Sequence, residues 1–540
     1  MRLRDPAKIT SYFPAGSFGR RLRCWHRRDP RAGYARPSGL ASSHNFRPGF
    51  SAVKRGFIFA RSLRTTTIVG VLLMAGAWPG LGRAAAAPAG KFYLHAHDRV
   101  VFYGDSITEQ RYYAVAVQTF VRTRFPNLKV RFVDSGVGGD TVRGGWAGPI
   151  NLRLQRDVLP FRPTVVTIML GMDDGGYHGF NATVLRRYRQ GYTHIIQWLR
   201  KHLPGVRLVL IEPSPFDNYS APLPPSQQAR LGTYNHVLMR MGRVVAQLAA
   251  RYHALCVNFN APLTAVIKTI RRVNPALAAR IIPGRVHPGA TAQMVMAQTL
   301  LRAWHAPAVV FWVHIRAGSV PAVAKAVQTR IGELGLVHGT LSWTQTDRSL
   351  PYPMMTLHAR RSPQFPPVAW WNRKAARRGN WPGPTQDPHY TNPLAAMVLH
   401  ITGAYRELDE QRLKISGLRG GGYQLWINGR PIAHFTAARL AAGVNLARYN
   451  TPMMAQARQV MALVWRQTQL RFRAWRLHRL PALGFGYKAK RAAPAALAKA
   501  LAIAQAMYRR CARMDAAQYA AAQPRPDHYR LTRIIHGQSH

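Results

Sequence analysis

Short apolar runs alternate with amphipathic stretches from Arg99 to about Pro307, the pattern of a parallel sheet covered by helices. The runs predict strands at Val100–Tyr103, Val130–Val133, Val165–Leu170, Leu208–Ile211 and Ala254–Asn258. Between them, Tyr112–Arg124, Ala182–His202 and Gly232–Tyr252 carry apolar residues at helical spacing. Five strands alternating with helices make a doubly wound α/β layer, in which ligands bind beyond the carboxyl ends of the strands. Past Pro307 the pattern changes: Pro351, Pro353, Pro363, Pro366, Pro367, Pro382, Pro384, Pro388 and Pro393 predict loops and short strands. Leu413–Ser416, Tyr423–Ile427 and Pro431–Phe435 read as strands of a small β-rich module, with a type I′ hairpin at Asn428-Gly429. From Thr451 onward, apolar spacing of three and four predicts helices in which Trp465 and Trp475 pack rather than bind. The expected division is a leader over 1–88, an α/β domain over 89–310, an accessory region over 311–450 and a helical C-terminal region over 451–540.

At 540 residues and 47% hydrophobic, the chain can bury a large core. Charge is the outlier: Lys and Arg total 76 against 20 Asp and Glu, a formal +56. Such a field attracts anionic surfaces without specificity. The basic residues are scattered and no nucleic-acid motif accompanies them, so no specific nucleic-acid partner is expected. The first 88 residues hold 16 basic and 2 acidic groups. There the apolar run Ile68–Trp78 follows Lys54, Arg55, Arg61 and Arg64 and leads to Ala84–Ala87, which reads as a secretory signal. The run falls short of the roughly 20 residues of a membrane span. Export to the periplasm or the exterior is therefore expected, with retention as an anchor the alternative. Cys24, Cys256 and Cys511 imply no disulfide framework. His95, His97, His178 and His202 lack metal-ligand spacing, so neither a metal nor a cofactor is expected.

The candidate chemistry starts at Gly104-Asp105-Ser106-Ile107, between the first predicted strand and a helix. A serine at such a turn exposes its hydroxyl and backbone N–H to the cleft. Alone, the tetrapeptide fits a helix-capping serine equally well. Three more blocks follow predicted strands or lie in a late loop: Asp134-Ser135-Gly136-Val137-Gly138-Gly139-Asp140-Thr141, Leu170-Gly171-Met172-Asp173-Asp174-Gly175 and Arg285-Val286-His287-Pro288. All four can converge on one cleft. Asp105 and Asp174 read as turn-holding residues, and Glu212–Asp217 as a loop at the cleft or a plain turn.

In these blocks the chain resembles the GDSL, or SGNH, hydrolase family of lipases, esterases and carbohydrate acetylesterases, from Arg99 to Ala308. Exported bacterial members are the most similar, and Gly443–Ala447 resembles their accessory region. The resemblance implies a three-layer α/β/α domain with a five-stranded parallel sheet. It further implies Ser106 as nucleophile, His287 as general base, and the N–H groups of Ser106 and Gly139 as oxyanion donors. In chemical terms, a hydroxyl needs a base within reach, and a developing oxyanion needs preorganised donors.

Two positions depart from the family pattern. Asp173 stands where the family has an Asn that donates to the oxyanion, and loss of one such donor costs about 3–4 kcal/mol. Gly284 stands where the family has an Asp that orients the histidine, whose loss from a triad lowers turnover by about 10⁴. A protonated Asp173 restores a donor, as neutral acids do in buried oxyanion sites. The sequence thus predicts an exported ester hydrolase, removing a short acyl group such as acetate from a carbohydrate or other small acyl ester. The alternative is an impaired homologue that binds glycans.

Overall fold

The structure, a computed structural model, describes residues 90–354, 393–479 and 494–534. The expected leader with Ile68–Trp78 lies outside the described residues, as do Pro363, Pro366, Pro367, Pro382, Pro384 and Pro388. No helix among the described residues is long and apolar enough to cross a membrane.

Five strands form the central sheet: β1 (Arg99–Gly104), β2 (Arg131–Gly136), β3 (Val165–Met169), β4 (Arg207–Glu212) and β5 (Leu255–Asn258). All neighbours pair parallel in the order β2-β1-β3-β4-β5. Every residue of β3 is buried, as a strand covered by helices on both faces requires. The connecting helices are α1 (Ser106–Glu109), α2 (Tyr112–Arg124), α3 (Ile150–Asp157), α4 (Ala182–His202), α5 (Tyr234–Arg251), α6 (Asn260–Val273) and α7 (Ala290–Ala303). The connection out of β1 runs to β2 and that out of β3 runs the other way to β4, so the β1/β3 junction is the topological switch point, the place beyond the strand ends where such sheets bind ligands.

Beyond the α/β layer, residues 309–347 form four strands of six to nine residues, longer than the short strands expected. They are β6 (Val309–Arg316), β7 (Ala322–Val327), β8 (Thr329–Val337) and β9 (Thr340–Asp347). After helix α8 (Pro393–Ile401) come β10 (Glu410–Ser416), β11 (Gly422–Ile427) and β12 (Arg430–Thr436). Asn428 and Gly429 turn β11 into β12 with φ of 50° and 73°, the two positive values a type I′ turn needs. Two long helices, α9 (Pro452–Arg479) and α10 (Pro494–Ala521), pack on each other, and α9 also lies on α2. Trp465 is buried there and stacks on Tyr112 at 5.6 Å.

The C-terminal stretch is not helical throughout. Asp527–Arg533 is a strand, β13, inserted between β9 and β11 in an antiparallel sheet ordered β8-β9-β13-β11-β12. Its alternate residues Tyr529 and Leu531 are buried, with Tyr529 stacked on Trp343 at 4.9 Å. One buried apolar cluster runs from Leu94 to Leu531, joining the α/β layer to these later elements.

Candidate active site

Ser106 is the first residue of α1, directly beyond the carboxyl end of β1 at the switch point. Asp105 is the helix cap: its Oδ1 accepts the Ile107 N–H at 2.9 Å, which fixes the turn presenting Ser106. Nε2 of His287, 181 residues later, lies 2.8 Å from Ser106 Oγ. Both side chains are half-buried. Burial lowers the His287 pKa below its ordinary value, which favours the neutral ring.

The loop after β2 closes one side. Gly138 approaches so closely that a Cβ there would stand 3.6 Å from Ser106 Cβ and 3.0 Å from Glu109 Oε2, so only glycine fits without displacement. Its N–H donates to Glu109 Oε2 at 2.7 Å, and its carbonyl accepts from Trp146 Nε1 at 2.5 Å. Gly139 follows. Asp140 is buried in an ion pair with Arg153 at 2.6 Å, and Arg153 also donates to the Ser135 carbonyl at 2.9 Å.

Asp173 and Asp174 lie on the loop after β3. Oδ1 of Asp173 accepts the Tyr177 hydroxyl at 3.0 Å, while Asp174 Oδ1 accepts the Val142 N–H at 3.0 Å and ties two cleft loops together. Acidic groups therefore crowd beneath the serine of a strongly basic chain. Burial pushes Asp174 up to about 7, helped by the charges of Asp173 and Asp140. Asp140 rises by burial to about 6 against the pull of Arg153. Asp105 is raised well above the carboxylate range by burial and then by Asp173, and burial also raises Asp173.

His287 rides on a loop that the sequence reading left without an anchor. Arg285 supplies one: its Nη1 donates to the carbonyls of Asp217 at 2.8 Å and Ala221 at 3.0 Å, and Nη2 to that of Pro222 at 2.7 Å. The Arg285 carbonyl in turn accepts the Asp217 N–H at 2.9 Å. Residues 217–222 thus clasp the histidine loop, and of the Glu212–Asp217 segment Asp217 makes the contact. Gly284 is exposed with φ +69°, and a Cβ there would meet nothing within 4 Å. An acid at this position would face backbone strain but no clash.

Of the sequence candidates, Ser106 and His287 are in contact, Gly139 follows Gly138, which borders Ser106, and Asp173 sits on the loop beyond the adjoining strand. Glu109, Trp146, Tyr177, Arg285 and Arg476 were assigned no role from sequence. Of these, Arg285 lies inside a block singled out from sequence, Arg285-Val286-His287-Pro288, and Glu109 lies two residues past Gly104-Asp105-Ser106-Ile107.

Residues 102–295 match the GDSL-like Lipase/Acylhydrolase family model. An acetylxylan esterase from Geobacillus stearothermophilus is 25% identical over 225 residues, which cover 38% of this chain and 93% of that protein. Its crystal structure superposes with a TM-score of 0.31 at 22% identity, covering 39% of this chain and 96% of that one. A gut microbial diltiazem-metabolizing enzyme is similar over 82% of this chain and 100% of its own, with a TM-score of 0.67 and 25% identity. That likeness reaches past residues 102–295 into the later elements. The match to the GDSL-like lipase/acylhydrolase family model over residues 102–295, together with the likeness to an acetylxylan esterase, supports ester hydrolysis as the chemistry of this domain.

Proposed function

We propose that the chain is an exported serine esterase that removes a short acyl group, such as acetate, from a carbohydrate. The observation that carries this reading is the 2.8 Å contact of Ser106 Oγ with His287 Nε2 at the switch point of the sheet. Similarity to an acetylxylan esterase supports the acylated carbohydrate. The leader expected over residues 1–88 supports action outside the cytoplasm.

With His287 neutral, the Ser106 hydroxyl donates to Nε2 and gives up its proton as Oγ bonds to the ester carbonyl carbon. The carbonyl electron pair moves onto oxygen, and the N–H groups of Ser106 and Gly139 receive that charge. Collapse of the tetrahedral species expels the alcohol oxygen, which takes the proton from His287. Water then repeats the sequence on the acyl-serine and releases the acid. At the third donor position, Asp173 acts in its protonated form, consistent with its raised pKa.

A serine-directed fluorophosphonate should label the wild type and not Ser106→Ala. Acetate release from acetylated xylo-oligosaccharides should fall by about 10³ or more in Ser106→Ala and His287→Ala, as loss of a nucleophile or its base does. A wild type that is neither labelled nor active from about pH 5 to about pH 9, yet retains acetylated glycans, would favour the glycan-binding alternative.

A further inference from the structure

The C-terminal helix α9 reaches the catalytic loop through a buried acid. Glu109 ends α1, one helical turn after Ser106, and is 2% exposed. Its two oxygens are divided between distant partners: Oε2 accepts the Gly138 N–H at 2.7 Å, and Oε1 accepts from Arg476 Nη2 at 3.0 Å across 367 residues of sequence. The Arg476 guanidinium also lies 5.7 Å from the Trp146 ring centroid and 5.1 Å from that of Phe472. Trp146 Nε1 in turn donates to the Gly138 carbonyl.

That carbonyl belongs to the same peptide unit as the Gly139 N–H. In a planar trans peptide the two point in opposite directions, so fixing one aims the other. We propose that Arg476 is a positioning residue for the oxyanion site: with Glu109 and Trp146 it sets the orientation of the Gly139 N–H, making helix α9 a working part of the hydrolase. This deepens the esterase reading and rests on it for its catalytic half.

The face of α9 turned to the loop is built for this contact. Gln469, Phe472 and Arg476 recur at helical spacing, and each meets the catalytic elements. Arg111 does not duplicate Arg476. It donates to the backbone carbonyl of Glu109 at 2.6 Å and to Gln469 Oε1 at 3.2 Å, and its guanidinium lies 4.1 Å from the Phe472 ring centroid. Without Arg476, Glu109 would be, among the described residues, a buried carboxylate with no hydrogen bond to Oε1 and Arg111 as its remaining opposing charge, which destabilises the position it holds.

The test compares full-length wild type, Arg476→Ala, Arg476→Lys, Glu109→Gln, the Glu109→Gln/Arg476→Ala double variant and Trp146→Phe, the last keeping an aromatic ring, smaller than the indole, and removing the N–H. Hydrogen exchange of the peptide spanning Gly136–Trp146 is measured beside kcat and KM for a soluble acetyl ester. Arg476→Ala and Trp146→Phe should exchange faster in that peptide and no faster in the central strands. Their kcat should fall about tenfold or more with KM little changed, within the 10²–10³ ceiling of losing an oxyanion donor outright. Arg476→Lys should recover part of the loss, and Glu109→Gln combined with Arg476→Ala should cost no more than the worse single change. Unchanged exchange in the loop of Arg476→Ala and Trp146→Phe would overturn the proposal whatever the activity. An inactive wild type would remove the esterase reading, and the exchange data would still decide whether Arg476 orders the loop.

Discussion

A carboxyl group donates a hydrogen bond only while it carries its proton, so the ionisation of Asp173 sets the range in which it can replace an amide. The Tyr177 hydroxyl occupies Oδ1, and among the described residues nothing hydrogen-bonds to the buried Oδ2, which leaves that oxygen to carry the proton. Burial raises the pKa of Asp173, so donation persists below the raised value and is lost as pH climbs through it. His287 moves the other way: burial lowers its pKa, so the neutral base survives below the ordinary histidine value of about 6.5. The expected kcat/KM profile is a bell, because activity needs a neutral His287 and a protonated Asp173 together. Asp173→Asn, which donates without a proton to lose, should leave only the titration of His287 and raise the rate at about pH 9 by about 10²-fold, the scale of one recovered oxyanion donor. A wild-type rate that climbs steadily to alkaline pH would refute the protonated-donor role.

At the scale of elements, the loop that carries His287 depends on its clasp. Three carbonyl contacts from Arg285 hold it to the segment after β4, where the family pattern would use an acid at position 284. Arg285→Ala should lower kcat about tenfold, since small misplacements of a reacting group cost up to 10²-fold. It should also lower the thermal midpoint by a few degrees, as loss of about 1–3 kcal/mol of hydrogen bonding implies. Arg285→Lys, which keeps the charge without the fork, should recover little; full recovery would mean charge and not geometry holds the loop. The strands and helices around this loop were legible because each buries an apolar run long enough to show its period, and Tyr112–Arg124 and Ala182–His202 match to the residue. The contact of Ser106 with His287 was legible because Ser106 sits in a compact block at a strand end and His287 in another in a late loop. Strand β13 was not, because Asp-His-Tyr-Arg-Leu-Thr-Arg offers two buried apolar residues in a polar stretch that follows a helix. Arg285 and Arg476 were not either: in a chain with 76 basic residues no arginine stands out, and their partners are backbone carbonyls or an acid far away in sequence.

Across the whole molecule the shortage of acids decides how the arginines are used. With 20 acidic residues for 76 basic ones, ion pairs are few among the described residues; Arg153 with Asp140 is fully buried, and Arg122 with Asp515, Arg207 with Asp98 and Arg476 with Glu109 are partly buried. Other arginines turn to peptide carbonyls, as Arg285 does with those of Asp217, Ala221 and Pro222. Among the described residues most Lys and Arg are exposed, where like charges repel and the compact state bears the cost. Salt acts unequally on these two populations. Exposed charges are screened beyond a Debye length of about 10 Å at 0.1 M, while buried pairs are screened far less. Raising KCl from about 10 mM to about 300 mM should therefore relieve surface repulsion, leave the buried pairs intact, and raise the thermal midpoint by several degrees. A midpoint that falls with salt would instead assign the dominant electrostatic term to the ion pairs and not to the excess charge around them.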